Sequence, residues 1–256
     1  MVDAAVISIS IVSHGQASLV KAVMDDLARL TKASEVEVLL TINVPEELPF
    51  SACDFPYPVK VIENAIPRGF GSNHNAASQR AVGEWFCVMN PDIRLGLNPF
   101  PILLEIMMRY QAAAIAPVVL TPAGKVEDSA RHFPTPLSLF LKLFGQQRGY
   151  GYSVADEPFP VDWVGGMFML FRIDDFKSVG GFDEKYFLYY EDVDLCVRLW
   201  RSGRQIVLCP KAQVVHAARR DSRRKLRYMF WHISSLLRYL IKHWLRFPDS
   251  RSRQAI

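Results

Sequence analysis

A chain of 256 residues, half of them hydrophobic and 22% charged, with 16 prolines and 14 glycines, has the profile of a folded globular domain and excludes a disordered or collagen-like chain. At this length folding buries roughly three quarters of the surface of the unfolded chain, so a core forms without disulfide or metal staples. The net charge of +4 is small but uneven: eleven basic residues follow residue 218 against two acids, Asp221 and Asp249, which leaves the tail strongly cationic and the body net acidic.

Residues 1–15 have neither the basic region nor the cleavage site of a signal peptide, and no run approaches the roughly 20 apolar residues of a membrane span. Cys53, Cys87, Cys196 and Cys209 form no CxxC pair and mostly lie in apolar runs, as reduced core residues of a cytoplasmic protein would. Apolar runs at 5–12, 36–42, 59–62 and 85–89 alternate with helical patterns at 16–30, 72–81 and 100–110. That alternation predicts an α/β fold, a mostly parallel central sheet flanked by helices. Ligands of such sheets bind beyond the carboxyl ends of the strands, where Ser13, His14, Gly15, Asn43, Asn90 and Asp92 would share one crevice.

Residues 121–161 are irregular and rich in Pro and Gly, apart from an apolar insert at 137–144, and suit an acceptor-side loop region. A strand is predicted over 163–172, opened by Gly165 and Gly166, then a short helix, Gly180-Gly181, and a helix over 191–201 closed by Gly203. Short strands at 205–208 and 213–215 precede a basic helix over 222–245 with apolar residues at helical spacing. The expected division is a body over 1–218 and a basic amphipathic helix and tail over 219–256.

Several polar residues in this framework can carry chemistry. Pro91 cannot donate to a ladder, so the strand at 85–89 stops there and leaves Asp92 at its exposed carboxyl end. A carboxylate so placed can hold a hard divalent cation together with phosphate oxygens, and Asn-Pro-Asp is equally good turn chemistry. Glu191, Asp192 and Asp194 crowd the first turn of a helix, where acids satisfy free backbone donors and the macrodipole. One cap accounts for one acid. Another acid facing a cleft can act as general base for a hydroxyl. His216 ends a strand and is open to two readings, a ligand or a hydrogen-bonded strand-end histidine. Gly69-Phe-Gly71-Ser-Asn-His-Asn75 has His74 where a dinucleotide-binding GxGxxG needs its third glycine, and GxxxxGK[ST] is absent. These facts argue against a Rossmann oxidoreductase and a P-loop nucleotidase.

Taken in order, Ile9-Ser-Ile-Val-Ser-His-Gly15, Glu63-Asn64 with Arg68-Gly-Phe-Gly71 and Asn75, Met89-Asn-Pro-Asp92, Trp163-Val-Gly-Gly-Met-Phe-Met169, Gly180-Gly-Phe-Asp-Glu184, Tyr190-Glu-Asp-Val-Asp-Leu195 and His216 resemble the series of glycosyltransferase family 2. The resemblance covers residues 5–240 and is closest to the rhamnosyltransferase-like branch that builds bacterial surface polysaccharides such as O-antigen. It implies a GT-A fold, a nucleotide-diphosphate sugar donor, a saccharide or lipid-linked acceptor, and inversion at the anomeric carbon. It also implies that Asn90 and Asp92 fill the ends of a DxD-type motif, with Asp92 and His216 on Mg²⁺ or Mn²⁺. By the same resemblance Asp192 is the catalytic base with Glu191 beside it, and Ser13, His14, Asn43, Glu63, Gly69, Asn75, Asn90, Gly165 and Gly166 serve the donor. Glu191 or Asp194 would supply negative charge near an oxocarbenium-like transition state. At Ile42 the chain departs from the family, in which an aspartate commonly precedes the asparagine and helps read the pyrimidine base.

The tail, with Phe230, Trp231 and Trp244 among its cations, is expected on an anionic membrane surface at the inner face of the plasma membrane rather than on nucleic acid. The alternative function is a catalytically silent scaffold of the same fold at the membrane.

Overall fold

A computed structural model describes residues 7–143, 152, 155–217, 226–244 and 248. Strand β1 (Ile7–Ser13) leads through helix α1 (Ala17–Leu30) to β2 (Val36–Ile42) and β3 (Val59–Glu63). Helix α2 (Phe70–Ser78), β4 (Trp85–Met89), the short β5 (Ile93–Arg94) and helix α3 (Phe100–Arg109) complete the first half. After it come β6 (Ala112–Leu120), β7 (Ala130–Arg131), helix α4 (Pro136–Leu143), β8 (Phe159–Pro160), β9 (Trp163–Val164) and β10 (Phe168–Arg172). Helix α5 (Ile173–Ser178), helix α6 (Glu191–Arg201), β11 (Gln205–His216) and helix α7 (Leu226–His243) follow.

The main sheet has the order β3-β2-β1-β4-β10-β6-β11-β5, with β8 added to β11. Strands β3, β2, β1 and β4 are mutually parallel, and so are β6 and β11. β10 is antiparallel to both β4 and β6, which makes those two point the same way. Its first residue, Phe168, therefore pairs with the last residue of β4, Met89, at the edge where the parallel strands end. The carboxyl ends of β1, β2, β3, β4 and β11 and the start of β10 thus line one side of the sheet, the side where ligands of such sheets bind.

Strands buried on both faces carry apolar residues nearly continuously, and β2 and β4 are buried at every position. Along β4, Trp85, Cys87 and Met89 face the core beneath α1 and α3, while Phe86 and Val88 face the core that includes α6. Ser8 and Ser10 interrupt the pattern in β1. Ser10 bonds His74 of α2 at 2.7 Å, and burial pushes that imidazole down to about 3, so it sits neutral in the core.

The strand predicted over 163–172 is two strands, because Gly165, Gly166 and Met167 leave the ladder. The two strands predicted at 205–208 and 213–215 are one, β11, whose register against β6 shifts between Cys209 and Gln213. Pro210 lies in that interval and cannot donate, and a bulge absorbs it. Cys87, Cys196 and Cys209 are buried, whereas Cys53 is exposed in a single 3₁₀ turn at Ala52–Asp54 and is not the core residue expected. The apolar insert forms α4 as far as Leu143, and Phe144 lies outside the described residues. So do residues 222–225 and 245 of the predicted last helix and Arg219, Arg220, Arg246, Arg251 and Arg253 of the cationic tail.

Helix α7 lies against the body through Ser235, Tyr239 and His243, all buried, and Ser235 Oγ donates to the Leu188 carbonyl at 2.9 Å. Its opposite side is apolar and open: Leu226, Phe230 and Ile241 are 79%, 69% and 77% exposed. Among the described residues no helix is long and apolar enough to cross a membrane.

Candidate active site

At the end of β4 the amide of Asn90 donates to the Met167 carbonyl at 2.9 Å, and the Asp92 carbonyl accepts from the amide of Ala217 at 2.9 Å. These bonds tie the Asn-Pro-Asp turn to the start of β10 on one side and to the end of β11 on the other. They set the side chain of Asp92 beside His216, with Oδ2 at 3.2 Å from Nε2. The other imidazole nitrogen, Nδ1, is 2.8 Å from Glu127 Oε2. Burial works against a charged His216, but the two carboxylates prevail and raise its pKa. Asp92 is not the exposed turn residue the sequence suggested, since its side chain is 13% accessible. Its second oxygen, Oδ1, is buried with no hydrogen-bond partner. Among the described residues no three His, Cys, Asp or Glu side chains converge on one metal position.

The three acids at the start of α6 go to different surroundings. Asp192 is half-buried and accepts from the amide of Gly166 at 3.0 Å through Oδ2 and from the amide of Val193 at 2.8 Å through Oδ1. Burial raises its pKa against the pull of those two amides and of Arg131. Glu191 is 4% exposed, its Oε2 has no partner, and burial followed by the charge of Asp192 raises it well above the ordinary carboxylate range. Of the two, Glu191 is the more deeply buried and the more strongly raised, which works against the negative charge expected of it. Asp194 turns away, fully buried, between Arg198 (2.8 Å), Lys242 (2.7 Å) and His243 (2.8 Å). It joins α6 to α7 and is no part of the crevice, which removes the other proposed source of charge. Tyr189 and Tyr190, just before this turn, both take left-handed φ values, +71° and +67°, at a cost of about 1–2 kcal/mol each. Rings of α7 hold them: His232 lies 5.4 Å from both, and Tyr239 lies 5.5 Å from Tyr190.

The residues expected to serve the donor fall into two groups. Gly166 and Asn90 adjoin the two carboxylates through their backbones, and a Cβ on Gly166 would come within 3.0 Å of the Phe70 ring. Gly165 directly precedes Gly166, His14 is exposed at the end of β1, and Glu63 is exposed at the end of β3. The others are spent on internal bonds. Ser13 Oγ accepts from the Gln16 amide. Asn43 bonds His14, the Arg68 carbonyl, the Arg68 amide and Asn64, and so fastens the loop after β3 to β2. Asn75 accepts from the amide of Phe182 and donates to its carbonyl, which holds the Gly180-Gly181-Phe182 loop. Gly69 is buried, and a Cβ there would meet the Phe187 carbonyl at 2.7 Å. Sequence reasoning missed Glu127, behind His216, and Arg131, whose charge reaches Asp192. Both come from the irregular segment after β6, where neither spacing nor motif marks a residue.

The family described as "Glycosyltransferase like family 2" matches residues 9–232. The chain belongs to that family. It is a glycosyltransferase, and relatives agree: an N-acetylglucosaminyl-diphospho-decaprenol L-rhamnosyltransferase of Mycobacterium tuberculosis is 33% identical over 214 residues, 74% of this chain and 70% of that one. The rhamnosyltransferase WbbL of Escherichia coli K12 is 29% identical over 249 residues, 91% of this chain and 92% of its own. The glycosyltransferase superposes on GalNAc-T7, solved with UDP, GalNAc and Mn²⁺, with a TM-score of 0.71 at 14% identity, covering 94% of this chain and about half (48%) of that one. The mannosyltransferase PcManGT of Pyrobaculum calidifontis, solved with GDP-Man and Mn²⁺, gives 0.66 at 13% identity, with 96% and 66% covered. At such identities the likeness concerns the fold, which is GT-A.

The Asp194 cluster of this glycosyltransferase has a pH signature. Burial raises Asp194, but His243, Arg198 and Lys242 outweigh it and hold the carboxyl at about 2, below its ordinary 3.8. A depressed carboxylate stabilises the fold above its unfolded pKa and loses that contribution as pH falls through the folded one. Asp194→Asn is expected to cost about 2 kcal/mol or more near neutrality, with the two proteins converging between pH 4 and pH 2. Urea unfolding across that range measures it, and an undiminished difference at pH 2 would contradict the assignment.

Proposed function

We propose that the protein is an inverting hexosyltransferase, a rhamnosyltransferase in particular, that moves the sugar of a nucleotide diphosphate onto a hydroxyl of a lipid-linked saccharide in surface-polysaccharide synthesis. The observation that carries the reading is the pair of carboxylates on either side of Gly166 and Met167: Asp92 with a buried oxygen left unpaired, Asp192 with a raised pKa. An acceptor atom buried without a partner costs on the order of 1–3 kcal/mol, and a hard cation satisfies it. Asp92 and His216 would hold Mg²⁺ or Mn²⁺, with Glu127 orienting the imidazole from its far nitrogen as carboxylates do behind metal-bound histidines. When bound, the cation neutralises charge on the leaving diphosphate.

Asp192 acts as the general base. Its two oxygens each accept one backbone amide, which fixes the carboxylate plane and leaves each oxygen a second acceptor site for a hydroxyl. As the acceptor oxygen attacks the anomeric carbon its proton passes to Asp192, and the bond to the diphosphate breaks on the opposite face, so configuration inverts. A raised pKa makes Asp192 a stronger base than an exposed aspartate. Burial and the charge of Asp192 push Glu191 beside it well above the ordinary carboxylate range. Arg131, on the strand paired with β9, offsets the charge of Asp192.

The exposed apolar side of α7 and the cations of the tail support attachment to the inner face of the plasma membrane, where a lipid-linked acceptor resides.

Three measurements test these statements. Asp92→Asn keeps the shape of the turn, and nucleoside diphosphate should then bind no tighter with Mn²⁺ than without it; a cation-dependent gain equal to that of the wild type in calorimetric titration would return Asp92 to a purely structural role. Asp192→Asn should lower transfer by about 10²–10⁴-fold and spare donor affinity, while its amide, forced against one of two backbone donors, costs about 1–3 kcal/mol of stability. Transfer above about a tenth of wild type would reject the base. Replacing Phe230 and Ile233 by Ser should abolish flotation with anionic vesicles at low salt, and unchanged flotation would show that α7 does not reach the bilayer.

A further inference from the structure

At about 100° per residue, α7 presents three sides. Ser235, Tyr239 and His243 meet the body, while Leu226, Phe230, Ile233, Leu237, Ile241 and Trp244 form the open apolar stripe opposite. Between them runs a flank with Trp231, Arg238 and Lys242. That flank and the segment Asp183 to Phe187 enclose a groove of about 730 Å³. Its lining is mixed. Phe187 and Trp231 stack at 4.6 Å between ring centres, and Leu237 and Ile241 belong to both the groove and the stripe.

The charges in the groove do not cancel. Lys242 is bonded to Asp183 and Asp194, at 2.7 Å each. Lys185 and Arg238 remain, both exposed, with no carboxylate partner among the described residues; Arg238 lies 5.9 Å over the Tyr186 ring. The groove therefore offers two cations beside an apolar wall that continues onto the stripe. A flat bilayer can rest on the stripe but cannot enter a groove on its flank, whereas a single apolar chain with an anionic head can. The segment Asp183 to Phe187 runs on within five residues to Asp192. The groove and the proposed base thus belong to adjoining stretches of the chain.

We propose that this groove binds the phosphate and the adjoining apolar segment of the lipid-linked acceptor. The inference rests on the acceptor class proposed above and assigns it a site distinct from the donor crevice. Lys185 and Arg238 take the phosphate, Phe187, Trp231, Leu237 and Ile241 take the start of the chain, and the rest of the chain passes along the stripe into the membrane.

The test compares neutral phosphatidylcholine vesicles carrying a minor fraction of polyprenyl phosphate with vesicles carrying phosphatidylglycerol at matched charge. Wild-type protein should bind the first about tenfold more tightly, the margin of one good charge-assisted contact. The double substitution Lys185→Gln and Arg238→Gln, at exposed positions, should erase that margin. Replacement of Leu226 and Phe230 by Ser should weaken binding to both vesicles alike and keep it. Equal wild-type affinities, the mark of a general anionic surface, would overturn the proposal, as would a margin that survives the double substitution. Nucleoside diphosphate binding with Mn²⁺ is measured on the same proteins and should not change in the groove variant. Its absence from wild type would count against the donor site and leave the lipid result to stand or fall by itself.

Discussion

Between β9 and β10 the chain leaves the ladder for three residues, and both candidate carboxylates are held by that break. The Met167 carbonyl receives the amide of Asn90, and the amide of Gly166 reaches Asp192. This works because β10 runs against its neighbours: an antiparallel strand inserted among parallel ones begins where the others end. Any side chain at 166 would press on the Phe70 ring and push the amide off the carboxylate. The glycine is thus required by packing from α2 as much as by the site.

Much of the fold was legible because parallel strands buried on both faces are apolar throughout, and because Pro91 has only one comfortable place relative to a strand. The alternation of runs through α3 gave elements and their order. What periodicity could not give was the bulge at Pro210, which splits one long strand into two apparent ones. Nor could it show that Gly165 to Met167 divide a strand, since a glycine pair opening a strand and one interrupting it look alike.

The site was legible in part, for a reason visible in α6. Glu191, Asp192 and Asp194 are successive or nearly so, and rotation about the helix sends one into the core, one to Gly166 and one to α7. Sequence marks the acids, but only the neighbours that α2 and α7 bring decide which is buried and which stays open. Asn43 and Asn75 illustrate the converse. Their amides suit a ligand as well as a loop, and the loops claim them. Glu127 and Arg131 left no trace because they act from a segment whose course is set by pairing β7 with β9, not by local propensity. The last helix was legible in its apolar stripe but not in its anchor. Its apolar stripe, which an ordinary amphipathic helix would bury, faces outward, because Tyr239, His243 and the Asp194 ion cluster provide the attachment on the other side.

The position of β10 also has a kinetic side. β1, β2, β3 and β4 lie within the first 89 residues and pair with one another, whereas the other edge of β4 is filled only by β10, residues 168–172. Loop closure over that distance is slow relative to local pairing. A chain emerging from its N-terminus can assemble the β1, β2, β3 and β4 ladder long before the partner that brings Gly166 to its edge exists. Architecture precedes the candidate site in this molecule: the incomplete chain has a sheet, and the break that holds both carboxylates arrives only with the last third of the polypeptide.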